Sequence, residues 1–193
     1  MANKKIIVMR HGEKSGDALT AKGAMQAYAA ATALGLTYKI DRIYHSGLNR
    51  AWQMALITAA ALGIKEAPVL NSGLSFEATM KMIFGDGGSA ACLAEAKVIK
   101  EKGGTVGVAR VISPYAHEGG CVMTEAIGKI AYGLGNLQTA LCISHSPWLE
   151  LAAAATTPYC LGECDAVSYL VESDSLIVGS EIIRAPLSGQ ANV

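Results

Sequence analysis

Arg10-His11-Gly12-Glu13 places an arginine, a histidine and a carboxylate side by side, directly after the apolar run Ile6-Ile7-Val8-Met9. An arginine suits phosphate because its planar fork can donate two hydrogen bonds to paired oxygens. A histidine beside it could serve as nucleophile, base or ligand. The same coincidence recurs along the chain. Only four histidines are present, and three of them (His11, His45 and His145) follow short apolar, strand-like runs. Arg10 stands at one of these strand ends, and Arg50 opens an apolar helical segment. If the strands are parallel neighbours, these groups converge on one edge of a sheet, where open α/β folds place ligand chemistry.

The elements that must position them alternate. Lys4 to Met9 reads as a buried strand. Thr20 is the expected cap of a helix running to about Leu34, with Ala24, Ala27, Tyr28, Ala31 and Leu34 on one face. A second strand covers Asp41 to Ser46, a buried helix runs from Arg50 to Leu62, and Gly63 ends it. Ala67 to Leu70 is a third, short strand. In the middle, Glu77 to Phe84 reads as a helical turn, Ala90 to Lys102 as a helix, Val106 to Ile112 as a strand or extended loop, and Thr124 to Leu134 as a helix. The stretch 74–134 is expected to be an insertion over the site. Ala140 to His145 is again a buried strand, Pro147 starts a helix through Ala155, and 166–171 with 176–183 forms a closing hairpin. The expectation is a single domain: a three-layer α/β/α fold on a mostly parallel mixed sheet, with helices on both faces.

Composition sets bounds on function. A length of 193 residues suits one domain with a sizeable core, and 51% hydrophobic against 17% charged residues describes a folded protein. Sixteen basic and sixteen acidic residues cancel, which argues against bulk binding to nucleic acid or an anionic membrane. No run has the apolar length of a membrane span, and no secretory signal is visible. The five cysteines are odd in number and scattered, with no zinc spacing, so a reducing cytoplasm is expected. No heptad or aromatic patch announces an oligomeric state.

Four blocks together carry a resemblance: Arg10-His11-Gly12-Glu13, Leu19-Thr20-x-x-Gly23, Tyr44-His45-Ser46-Gly47-Leu48-Asn49-Arg50-Ala51, and Ser144-His145-Ser146-Pro147. In this order and spacing they resemble the histidine phosphatase superfamily, also called phosphoglycerate mutase-like. The last block, with Leu149-Glu150 after it, is most similar to the small phosphohistidine phosphatase branch. The resemblance implies a phosphatase acting on a small phosphorylated molecule or a phosphohistidine protein, with no cofactor and no metal. It implies that His11 attacks phosphorus to form a phosphohistidine, while Arg10, Arg50 and His145 hold the phosphoryl oxygens. Glu77 occupies a place comparable with the general acid of the mutase branch. Ala78 stands where a basic residue would follow it there, which favours a phosphatase over a mutase. Glu13 is expected to orient the arginines or bond a substrate hydroxyl. His45 replaces a usual serine and either lines the pocket or points into the core. Gly47, in place of a usual proline, loosens its turn. His117 and Glu118 belong to a lid or a solvated loop.

Two other classes are open at this level. A metal-dependent hydrolase would use His11, Glu13, His45 and His145 as ligands, but two arginines would repel its cation. An idle phosphate-binding module on the same fold is the other, since fold does not guarantee chemistry.

Overall fold

An apolar run buried on both faces, within Lys4–Arg10, builds the centre of the molecule in this computed structural model, which describes residues 3–75, 80–81, 84–173 and 176–186. In this strand, β1, Ile6 and Val8 enter one core cluster, and Ile7 and Met9 enter another. All four are fully buried. A strand covered on both faces must be apolar throughout, and each such side chain contributes about 1.5–3 kcal/mol by leaving water.

Two short strands, β2 (Lys14–Ser15) and β3 (Ala18–Leu19), form a small hairpin before α1 (Ala21–Thr37). Next come β4 (Arg42–His45), α2 (Asn49–Leu62) and β5 (Val69–Leu70), followed by a 3-10 turn at Ser72–Leu74. Then come the helices α3 (Gly88–Glu101), α4 (Val106–Ile112) and α5 (Pro114–Tyr132). The chain closes with β6 (Thr139–Ser144), β7 (Ala166–Ser173) and β8 (Leu176–Ile183). The six-stranded sheet has the order β5-β4-β6-β1-β7-β8. β5, β4, β6 and β1 pair in parallel, whereas β7 and β8 pair antiparallel. The expected mixed α/β architecture is present. α1 and α2 cover one face, with Ala27, Leu34, Met54 and Ala55 against Ile7, Met9, Leu141 and Ile143. α5 covers the other, with Met123, Ile127 and Ile130 against Ile6, Val8 and Cys142. The 74–134 stretch therefore also supplies one layer of the fold.

Three local readings change. Val106–Ile112 is a helix: Thr105 caps it by accepting from Val108 N, and Val106 and Ala109, three apart, bury one face. That spacing overrides the β-branched propensity of the segment. His117 and Glu118 lie on the regular helix α5, whose first turn is capped by Ser113 and carries Pro114 at its start. Gly119 is no breaker there; a Cβ at this position would lie 2.8 Å from Leu151 Cδ1 and 3.1 Å from Trp148, so its absence permits close packing. The helix expected after Pro147 is instead a run of turns. Its backbone is committed elsewhere: Arg110 donates to the carbonyls of Leu151 and Ala153, and the amides of Val106 and Gly107 take those of Thr157 and Ala155.

The turn after β1 meets the start of α1 backbone to backbone. A Cβ on Gly23 would sit 2.0 Å from Glu13 O, and one on Gly12 would sit 2.6 Å from Gly23 O. Gly23→Ala is therefore expected to destabilise the protein by about 2 kcal/mol or more through forced displacement of main chain. Urea unfolding checks this; a midpoint equal to wild type would refute it.

Candidate active site

The parallel strands end on one edge, and the candidate residues lie there. Arg10 is the last residue of β1 and His11 follows it. His145 follows the last residue of β6, and Ser46 the last residue of β4. Arg50 is in the first turn of α2. A cavity of about 320 Å³ is lined by Arg10, His11, Arg50 and His145 together with Lys14, Ser146 and an apolar wall that includes Leu48, Met80, Leu93 and Trp148. A larger cavity of about 660 Å³ runs along α5 and contains none of these four residues.

His11 is 4% exposed and held in one tautomer. Its Nδ1 lies 2.7 Å from Gly12 O, an acceptor, so Nδ1 carries the proton. Nε2 is then a lone pair, and Arg50 Nε–H donates to it at 3.2 Å. Burial lowers the His11 pKa to about 4, and the Arg50, Arg10 and Lys14 cations act in the same direction, opposed by the Gly12 bond. The imidazole is neutral at pH 7, the state a nucleophilic nitrogen requires.

His145 is also buried, and its ring lies 5.1 Å from that of His11 between centroids. Its Nε2 is 2.6 Å from Ser46 Oγ. Burial, with Arg50, His11 and Arg10, holds its pKa well below the usual value. Arg10 Nη1 donates to Leu161 O at 2.5 Å. Four buried side-chain polar atoms have no hydrogen-bond partner among the described residues: Arg10 Nε, His145 Nδ1, Glu150 Oε2 and Thr58 Oγ1. The first two belong to cavity-lining residues. Buried polar groups are normally satisfied, so a donor left open at a cavity marks where a ligand acceptor fits.

The remaining expected residues take other places. Glu13 does not line the cavity; its carboxylate accepts from Lys22 Nζ at 2.7 Å and Thr20 Oγ1 at 2.9 Å, and Lys22 holds its pKa below the ordinary value. It therefore staples the first turn to α1 and does not touch the arginines. Glu77 lies outside the described residues. His45 is buried away from the cavity lining, with Nδ1 accepting from Gly47 N at 3.2 Å, which fits the core alternative. Gly47 has φ +93°, so it sets that turn and does not merely loosen it. His117 is exposed and lies away from the site cavity. Among the described residues no group of three or more His, Cys, Asp or Glu side chains is placed to hold a metal ion.

Asp17 was not legible in the sequence. From the β2–β3 turn its carboxylate pairs with Arg50 Nη1 and accepts from Asn49 N at 3.2 Å, at the N-terminus of α2. It steadies the guanidinium over His11 and meets the positive end of the helix. A lone Asp beside a glycine carries no sequence signal for that role.

Three buried, neutral histidines link stability to pH. Burial lowers the pKa of His11, His45 and His145, so the unfolded chain binds more protons once pH falls below about 6.5. Their contribution is full above that value and is lost as pH drops toward about 4, the folded-state value of His11. Glu150, whose pKa burial raises, acts in the opposite sense as pH climbs past the ordinary carboxylate range. With three groups against one, the urea midpoint is expected to rise between about pH 4 and 6.5. A flat or falling profile would contradict it.

Known proteins share this arrangement of chain. The sequence model of the histidine phosphatase superfamily (branch 1) matches residues 6–74. The comparison with curated proteins gives no match. Among solved structures, the chain is similar to a phosphoserine phosphatase mutant of Entamoeba histolytica in complex with phosphoserine, with 19% identity, covering 92% of this chain and 96% of that one, at a TM-score of 0.57. It is similar to the protein histidine phosphatase SixA complexed with tungstate, with 16% identity, coverage of 93% and 94%, and a TM-score of 0.54. A phosphoglycerate mutase from Bacillus anthracis gives 15% identity, 92% coverage of both chains and a TM-score of 0.60. Through residues 6–74 the chain matches the histidine phosphatase superfamily, and as a whole it has the phosphoglycerate mutase-like α/β fold.

Proposed function

We propose that the protein is a phosphatase that hydrolyses a small phosphomonoester or a phosphohistidine through a covalent phosphohistidine on His11, without a metal. The observation that carries this is the state of His11: neutral, with Nδ1–H tied to Gly12 O and the Nε2 lone pair turned to Arg50. Nε2 attacks phosphorus as the bond to the leaving atom breaks. Arg50 Nε, now donating to that lone pair, transfers its hydrogen bond to a phosphoryl oxygen. Arg10 Nε and the His145 ring supply further contacts, so charge is stabilised by donors already in place. Water then attacks the phosphohistidine, releasing phosphate and restoring neutral His11.

An ester leaving oxygen needs a proton, and Glu77 is the proposed donor on its place in the sequence. A phosphohistidine substrate needs less help, since its leaving nitrogen can already be protonated. The cavity, about 320 Å³, lies at the small end for ligand sites and favours a compact substrate or a projecting side chain. No helix among the described residues is long and apolar enough to cross a membrane, and all five thiols are free. A cytoplasmic location fits those thiols.

The test is a panel of phosphoesters plus a phosphohistidine peptide, with and without exhaustive chelation. Chelator-resistant turnover with acid-labile phosphate on the protein is expected. Tungstate or phosphate binding with no turnover of any substrate would favour the idle module instead.

A further inference from the structure

Glu150 is 0% exposed, five residues beyond His145, and no step proposed above uses it. A single oxygen, Oε1, accepts three hydrogen bonds: from Ser146 Oγ at 2.7 Å, Cys160 N at 2.7 Å and Leu161 N at 3.2 Å. Oε2 is buried with no partner among the described residues. Burying a carboxyl group is costly unless it is well hydrogen-bonded, and here three donors converge on one oxygen. What it holds is an unfavourable turn. Cys160 has φ +65°, a conformation that a side chain other than glycine adopts rarely and only when its surroundings impose it.

The turn matters because of its other end. Leu161, pinned by its amide to Glu150, offers its carbonyl to Arg10 Nη1 at 2.5 Å. Ser146, the third donor to Glu150, lines the same cavity as Arg10 and His145. One buried oxygen thus joins the turn after β6 to the loop that orients the guanidinium. We propose that Glu150 is a positioning residue for oxyanion binding, acting through Leu161 on Arg10. The inference rests on the reading of Arg10 as a phosphoryl clamp. Glu150 touches no substrate; its part is to fix where the Arg10 fork points, which matters because bidentate recognition is geometric.

Tungstate affinity measured by calorimetry on the whole chain separates this from a merely structural role, because it can be read in a double-mutant cycle. Glu150→Ala is expected to raise the tungstate Kd about tenfold, and by about twofold or less when Arg10 is already alanine. Glu150→Gln keeps an oxygen able to accept both amides and is expected to stay within about threefold of wild type. If Glu150→Ala does not fold, Glu150→Asp, one methylene too short to reach both amides, runs the same cycle. Equal losses with and without Arg10 would overturn the relay alone. Undiminished binding in Arg10→Ala would overturn the clamp reading, and the relay with it. A folded Glu150→Gln that loses tenfold or more would overturn the role assigned to the accepting oxygen.

Discussion

Replacing His11 with alanine is expected to lower kcat by at least about 10⁴-fold, because the proposed covalent step then has no nucleophile. The neighbouring cations survive the change, so substrate binding should persist and KM should move far less than kcat. The protein should remain folded, since the substitution removes one ring and its two hydrogen bonds, to Gly12 O and from Arg50 Nε, from a site whose backbone bonds, such as His11 N to Ser144 O, are kept. Phosphate labelling gives an independent readout: acid-labile label on the wild type and none on His11→Ala. The reverse result is equally informative. Full turnover in the variant would remove His11 as nucleophile and return the site to a binding or metal-assisted reading.

Loss of Arg50 is expected to have the second largest effect. Its guanidinium reaches His11 Nε2 through Nε and Asp17 through Nη1, so it is both close to the proposed nucleophile and braced from behind. By analogy with removal of one preorganised oxyanion-hole donor, the cost is about 2.7–4 kcal/mol, a fall of about 10²–10³ in kcat. Arg50→Lys should recover little, because an ammonium lacks the planar fork that spans two oxygens. Arg50→Ala should also shift the acid limb of kcat/KM, which reports the free enzyme. Burial is the main force holding His11 near pKa 4, and the Arg50 cation adds to it. Without that cation the imidazolium is favoured, so the limb moves upward while staying below the ordinary value near 6.5. A pH–rate profile on both proteins checks the direction; an unchanged limb, with activity reduced less than about fivefold, would show that Arg50 does not act at this site.

The parts legible in sequence share a physical property: each depends on near neighbours. Ile6 to Met9 reads as a strand buried on two faces, Thr20 three residues before Gly23 as a helix cap, and Gly63 as a helix end, and the structure has all three. What failed was the stretch where packing outweighs local preference. Val106–Ile112 has strand-forming residues but sits as a helix because one apolar stripe finds a partner. His117 and Glu118 read as a lid or solvated loop but lie on a helix whose Gly119 is a contact surface, and Pro147 looks like a helix start but precedes a segment whose carbonyls serve other elements. Glu13 carries a charge within the motif, yet its partner is Lys22 and not an arginine.

The same division runs through the site. Sequence alone placed histidines at the ends of three strands, with an arginine beside the first and another at the start of a helix, because strand termini and helix starts are local events. Only the tertiary structure decided that β1 and β6 lie side by side, bringing His11 and His145 within 5.1 Å between ring centroids. Only it decided the proton's place on His11, set by the adjacent carbonyl and the facing guanidinium. The supporting partners Asp17, Ser46 and Glu150 were likewise assigned by the fold alone, since each acts across 30 or more residues or through a loop no periodicity marks. Residue type limits which chemistry is possible; the long-range hydrogen bonds that select tautomer, charge and direction exist only once the chain has closed on itself.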